Sequence, residues 1–206
     1  MAGQTKTVLI TGAAKRLGQA IALALADAGW SVAVHYGASS AEAEATAAAV
    51  HAKGVRAAAV KADLAKENET QALLAKAREA LGPITALVNN ASIFQNDSIE
   101  SMTRASWDTH IEINLRAPLV LAQNFARELP PNSEGAIVNL LDQRLFKPTP
   151  QFLSYSASKA GLHWLTVTLA QALAPRIRVN GWRPVQRSAA RARAKPISSA
   201  KSKRRR

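Results

Sequence analysis

The chain has no cysteine. That excludes a disulfide framework and a thiolate zinc site, and it suits a reducing compartment. No long apolar run is present either. The most apolar stretch, Ala20 to Ala26, stops at Asp27, far short of the roughly 20 residues a bilayer crossing needs. The start, Met1-Ala2-Gly3-Gln4-Thr5-Lys6, passes straight into an apolar strand pattern and lacks the apolar region and cleavage site of a secretory signal. These absences lead to the expectation of a cytoplasmic protein without a membrane partner, a disulfide or a metal.

Acids are missing in two informative places. Residues 182–206 hold ten Lys or Arg and no Asp or Glu, so this tail supplies +10 of the net +13. The remaining 181 residues carry 17 basic and 14 acidic side chains, a net of +3. The high charge therefore belongs to the tail and not to the body. A basic arm for nucleic acid is one reading of it. No aromatic residues interleave the charges and nothing else in the chain supports that reading, so nucleic acid is not an expected partner. The second gap in acids lies between Ala33 and Ala41, and its meaning depends on what surrounds it.

What is present is a regular alternation of strand and helix signals over the 206 residues, a length suited to one domain with a real core. Apolar, β-branched runs mark strands at Val8–Ile10, Ser31–Tyr36, Val55–Val60, Ile84–Val88, Ala136–Leu141 and Ile177–Asn180. Helices are predicted over Arg16–Ala28, Ala41–Ala52, Glu67–Leu81, Trp107–Leu129 and Tyr155–Leu173. Such alternation implies an α/β, doubly wound parallel sheet in three α/β/α layers. Ligands bind such sheets at the carboxyl ends of the strands. Thr11, Asp63, Asn89, Asn90 and Asp142 fall at those ends.

Thr11-Gly12-Ala13-Ala14-Lys15-Arg16-Leu17-Gly18 joins the first strand to the first helix. A dinucleotide pyrophosphate meets helix N-terminal amides at this place. Gly12 permits the tight turn and Gly18 close packing, while Arg16 stands where a middle glycine is usual. An NAD site carries an acid about 20 residues further on, for the ribose 2′-hydroxyl. The gap between Ala33 and Ala41 offers His35, Ser39 and Ser40 instead, with Lys15 and Arg16 nearby. A 2′-phosphate suits that set better, which favours NADPH/NADP. The alternative, that His35 ends a strand and the serines cap the next helix, stays open at this level.

Tyr155-Ser156-Ala157-Ser158-Lys159, thirteen residues beyond Asp142, is the chemical signature. A Tyr and a Lys four apart share one helix face. An ammonium near a phenol favours the phenolate and lowers its pKa. The pair suits proton transfer to a carbonyl or imine.

Taken in order, Thr-Gly-x-x-x-Arg-x-Gly, Asn-Asn-Ala-Ser, Asn114 and Tyr-x-x-x-Lys resemble the short-chain dehydrogenase/reductase family over residues 5–181. The resemblance implies a Rossmann-type sheet, a nicotinamide cofactor, and a homo-oligomer built on the two long helices. It assigns Asn89, Asn90 and Ala91 to the cofactor side of the fourth strand and Asp63 to the adenine. Asn114 would position Lys159 through a water, Tyr155 would transfer the proton, and Lys159 would bind the nicotinamide ribose. Most of the family has serine where this chain has Asp142. The pteridine reductase branch has Asp there, and the chain is similar to that branch in its first loop, in Val34-His35-Tyr36 and in Asn-Asn-Ala-Ser-x-Phe. That likeness implies Phe94 stacked on a flat heterocycle, Ser92 and Arg16 bonded to its edge or to phosphates, and Asp142 paired with Tyr155. The implied function is NADPH-dependent reduction of a pteridine-like C=N bond in a small molecule. A ketone or 3-oxoacyl reductase keeps the same fold and remains an alternative, as does a non-catalytic nucleotide-binding relic with a basic tail.

After Gly181 the resemblance lapses. The family expects a Pro-Gly turn, a substrate-covering segment and a last strand. Residues 182–206 are rich in Ala, Arg, Ser and Lys without apolar periodicity. The expectation is a Rossmann domain over 1–181, truncated or frameshifted near its end, with a disordered basic tail over 182–206. An open site with weak turnover would follow.

Overall fold

The structure, a computed structural model, describes residues 6–183. Strand and helix alternate in the order β1 (Thr7–Ile10), α1 (Arg16–Asp27), β2 (Ser31–Tyr36), α2 (Ser40–His51), β3 (Ala57–Lys61), α3 (Glu67–Leu81) and β4 (Ala86–Asn89). The second half runs α4 (Arg104–Ile111), a π-helical turn (Glu112–Arg116), α5 (Ala117–Glu128), β5 (Gly135–Leu140), a 3-10 turn (Gln143–Leu145), α6 (Leu153–Leu173) and β6 (Ile177–Trp182). The six strands form one sheet in the order β3-β2-β1-β4-β5-β6, every pair parallel. This is the parallel sheet that the alternation implies, of the Rossmann type that the resemblance implies. Its strand order reverses between β1 and β4, where a crevice opens at the strand ends.

The two-residue period of the strands divides the core between the two faces. Leu9, Leu87 and Ile137 point to one side and pack with Leu73, Leu74, Leu121 and Phe125 from α3 and α5. Val8, Ile10, Val32 and Val34 point to the other and meet Ala22, Ala26, Ala43, Ala47 and Val50 from α1 and α2. Alanine on those two helices lets them lie close to the sheet. Burying one Leu or Phe of this kind is worth roughly 2 kcal/mol.

The one long helix expected over Trp107–Leu129 is instead α4, the π turn and α5 in succession. It starts three residues earlier because Thr103 and Ser106 form a reciprocal capping box. The π turn has a cause in sequence: Pro118 has no N–H to give the carbonyl four residues back, that of Asn114. β6 runs to Trp182, so the body extends one residue past the expected boundary. Residues 184–206 lie outside the described residues, and with them nearly all of the expected tail. Among the described residues no helix is long and apolar enough to cross a membrane.

Candidate active site

The first loop is built around Thr11. Its hydroxyl accepts from the Asn90 and Ala91 amides, both at 3.0 Å. The Asn90 side chain donates to Thr11 O at 2.8 Å and Gly12 O at 3.1 Å. These bonds clamp the end of β4 onto the loop. Gly12 has φ +63°, and a Cβ there would lie 3.0 Å from Ala91 Cα. At Gly18 a Cβ would meet Gly12 O at 2.2 Å. Both glycines are therefore steric requirements. No side chain caps the start of α1, so its first-turn amides keep the free donors a pyrophosphate uses. Arg16 has φ +54°, a left-handed conformation that costs a residue bearing a Cβ about 1 kcal/mol. Its exposed side chain stands at the mouth of the loop, as does that of Leu17.

The other end of the crevice corrects one expectation. His35 is 2% exposed, and its ring does not face a 2′-phosphate. Nδ1 accepts from the Gly12 amide at 3.0 Å, so Nε2 carries the proton and donates to Ala62 O at 3.0 Å. Burial, partly offset by the Ala62 bond, pushes its pKa down to about 4. His35 braces the glycine loop from below. Nearby, Lys15 pairs with Glu42 at 2.8 Å on the surface, and Ser39 stands at the N-cap of α2 without a capping bond from its side chain. Asp63 lines a depression of about 420 Å³ together with Gly37, Ala38, Lys61, Lys66 and Glu69. Lys61 and Lys66 were missed by sequence reasoning, which followed only the β2 end. The β2–β3 register, Tyr36 opposite Lys61, is what brings Lys61 there, and Lys66 follows at the N-cap of α3.

Asn89 is also turned away from the crevice. Its side chain donates to Asn139 at 2.8 Å, and Asn139 donates to Thr166 at 2.9 Å, a buried chain tying β4 to β5 and α6. Asn90 takes the loop-facing place.

At the ends of β5 and α6, Tyr155 donates its hydroxyl proton to Asp142 Oδ2 at 2.8 Å. The other carboxylate oxygen accepts from the Arg144 amide at 2.8 Å and lies 3.6 Å from the Arg144 guanidinium. Burial and the Asp142 bond and charge raise the phenol above the usual tyrosine range, while Arg144 and Ser92 act in the opposite sense. Lys159 is 3% exposed and donates to Leu140 O at 2.9 Å. Its ammonium is 5.9 Å from the Tyr155 ring centre, and burial, against the pull of Asp142, lowers it to about 8. The expected lowering of the Tyr155 pKa by Lys159 is therefore not the arrangement found: carboxylate contact and burial dominate the phenol. Asn114, in the π turn, accepts from Ile93 N at 2.8 Å and donates to Ile93 O at 3.0 Å and Ser158 Oγ at 3.2 Å. It anchors the loop after β4 to α6.

Phe94 stacks on Phe152 with centroids 4.5 Å apart and meets Tyr155 edge-on at 4.7 Å. The Arg144 guanidinium lies 4.9 Å from one ring centre and 4.6 Å from the other. Phe94 remains 51% exposed. Phe152 and Arg144 escaped the sequence reading, although Phe152 stands three residues before Tyr155 and Arg144 two after Asp142. A buried phenol, a carboxylate, an amine and an aromatic platform thus converge at the strand ends beside the glycine loop. Gly12, Gly18 and the uncapped α1 fit a dinucleotide.

Fold and site together define a dinucleotide-dependent α/β protein in which Tyr155, Asp142 and Lys159 converge beside the glycine loop. The comparisons with known proteins give the family. The family model for short chain dehydrogenases matches residues 6–195. A 3-oxoacyl-[acyl-carrier-protein] reductase, FabG of Staphylococcus epidermidis, is 36% identical over 180 residues, 87% of this chain and 74% of that protein. The crystal structure of FolM alternative dihydrofolate reductase 1 from Brucella canis complexed with NADP is 45% identical with a TM-score of 0.84, over 87% of this chain and 72% of that one. The landomycin C-6 ketoreductase LanV with bound NADP and rabelomycin is 31% identical with a TM-score of 0.79, over 85% and 74%. The chain belongs to the short-chain dehydrogenase family and is an oxidoreductase of that class.

Proposed function

We propose that the protein is an NADPH-dependent reductase acting on a flat, pteridine-like C=N bond. The observation that carries this is the Tyr155–Asp142 pair at 2.8 Å beside the Phe94–Phe152 platform. Reducing C=N needs hydride on carbon and a proton on nitrogen. The reduced nicotinamide supplies the hydride when bound. Tyr155 gives its hydroxyl proton to the ring nitrogen, and Asp142 holds that hydroxyl in place until it does. Lys159 would hold the nicotinamide ribose. Arg16 and Ser92 stand at the substrate edge, and Phe94 offers an aromatic face to the heterocycle. Gly12, Leu17, Gly18 and Ala91 would hold the pyrophosphate. Lys15, Ser39 and Lys61 would hold the 2′-phosphate, and Asp63 the adenine. The 45% identity to the Brucella dihydrofolate reductase, solved with NADP, supports the cofactor and the substrate class.

A ketone is the second reading, favoured by the FabG relatives. Phe94→Ala separates the two, because loss of the platform penalises a stacked heterocycle far more than a flexible ketone. In solution the protein forms a homo-oligomer through α5 and α6. On α6, Ala160, Trp164, Val167 and Gln171 form an exposed stripe, with Trp164 71% exposed. The site of action is the cytoplasm.

The test is a thermal melt of the full chain with NADPH and with NADH, followed by turnover of dihydropterin and of a 3-oxoacyl thioester. Saturation at about 100 times the dissociation constant stabilises by about 2.7 kcal/mol. A shift with NADPH alone and faster turnover of the pterin support the proposal. A larger shift with NADH, or turnover of the thioester only, overturns it.

A further inference from the structure

A second buried polar cluster lies behind the catalytic pair and takes no part in the proton transfer. Asp97 comes from the loop between β4 and α4, His110 from α4, and Ser154 from the first turn of α6. Their exposures are 3%, 0% and 0%. Charged and polar side chains this deep are retained only when every donor and acceptor is matched.

They are matched in one way. Gln95 N–H donates to His110 Nε2 at 3.2 Å, so Nε2 is unprotonated and Nδ1 carries the ring proton. That proton is shared between Ser106 O at 2.9 Å and Ser154 Oγ at 2.8 Å. The Ser154 hydroxyl in turn donates to Asp97 Oδ2, and Ser154 N donates to Asp97 Oδ1 at 3.2 Å. Asp97 O accepts from Phe152 N at 2.7 Å. Asp97 thus supplies the acceptor that α6 lacks in its own sequence, where Phe152 stands at the N-cap in a left-handed conformation and offers no side-chain bond.

The anchor points of this cluster explain its place. Gln95 follows Phe94. Phe152 is the ring on which Phe94 stacks. Ser154 precedes Tyr155, and the His110 ring meets Tyr155 edge-on at 6.1 Å. Each tether therefore ends one residue away from an aromatic ring of the site, or on one. We infer that Asp97, His110 and Ser154 are positioning residues that fix the face of Phe94 relative to the Tyr155 hydroxyl, and that they thereby select rigid, flat substrates. A rigid heterocycle seated on Phe94 has its reducible bond delivered to Tyr155 only if the two rings keep their spacing. A flexible ketone rotates to find the hydroxyl and tolerates a looser frame. The substrate part of this inference rests on the reading of a flat substrate given above.

Three variants at one position test it. Asparagine places a donor near the Nδ1 position and removes the acceptor for Gln95. Glutamine places an acceptor near the Nε2 position and removes the donor. Leucine removes both. With NADPH saturating, His110→Leu and His110→Asn are expected to raise KM for dihydropterin about tenfold with kcat changed less than threefold. Turnover of a small aliphatic ketone and the dissociation constant for NADPH are expected to stay within about threefold. His110→Gln restores the pterin KM. A parallel fall for both substrates, or failure of glutamine to rescue, overturns the inference.

Amide hydrogen exchange of the intact chain provides a readout independent of turnover. In His110→Leu, protection is expected to fall together in 93–97 and 152–156, and His110→Gln, which keeps only the acceptor for Gln95, is expected to restore it in 93–97. Loosening confined to 93–97 defeats the positioning network. If the wild-type chain reduces no flat heterocycle, the functional reading fails, and the exchange experiment still decides whether the tether exists.

Discussion

The Tyr155 hydroxyl donates to Asp142 Oδ2 across 2.8 Å, while the opposite oxygen of that carboxylate is held by the Arg144 amide at the same distance. The Tyr155 hydroxyl is therefore oriented by a group that is itself oriented. Tyr155→Phe is expected to lower kcat by about 10²–10⁴-fold for every substrate, with NADPH binding unchanged in a fluorescence titration. Asp142→Ser installs the hydroxyl most of the family carries. It is expected to depress reduction of a C=N substrate and to spare a ketone, so the ratio of the two kcat/KM values is the measurement.

Arg144 touches both halves of the site: the Asp142 carboxylate and the two phenyl faces. Arg144→Met removes a cation–π contact worth about 1 kcal/mol, so KM for a flat substrate should rise about fivefold. It also removes a positive charge that holds the Tyr155 phenol down. In the proposed mechanism the phenol must be protonated to act as the acid, so the alkaline limb of kcat/KM is expected to move to higher pH in the variant. An unmoved limb would show that Arg144 does not act on Tyr155.

Arg16 pays for its place in backbone strain, with φ +54° at a position where glycine is usual. Arg16→Gly is expected to raise stability by about 1 kcal/mol, read as a higher Tm without ligand. The same variant should weaken NADPH or substrate binding, because the guanidinium leaves the mouth of the loop. A variant that gains no stability would place the strain elsewhere.

His35 makes stability depend on acidity. Its folded-state pKa is about 4 against an ordinary 6.5, so the unfolded chain takes up a proton that the folded chain refuses. The contribution is whole above pH 6.5 and is lost as pH falls from 6.5 toward 4, to a limit of roughly 3 kcal/mol. Thermal melts at pH 7.5 and 5 should show the loss. His35→Asn keeps an acceptor near Gly12 N but cannot titrate there, and it should flatten the difference.

The exposed stripe on α6 is the surface on which the proposed homo-oligomer would form. Trp164→Lys is expected to shift the mass seen by light scattering toward the monomer. The glycine loop lies on the far side of the sheet core, so NADPH binding should persist.

Sequence alone determined the order of strands and helices, because apolar runs of period two and stripes of period 3.6 are local patterns. The glycine loop, Asp142, Tyr155 and Lys159 were legible for the same reason: their meaning lies in short spacings. The π turn was not read, since a helical pattern with one proline scans as continuous. Tertiary structure decided which way each polar side chain turned. His35 and Asn89 sit at strand ends like true site residues, yet the pleat and their neighbours point them inward to Gly12, Ala62 and Asn139. It also decided which distant residues meet. Asp97 and Ser154 are 57 positions apart, and no local pattern joins them. Only the packing of α4 against α6 closes their network around the ring of His110, because a buried charge must find its partners wherever the fold brings them.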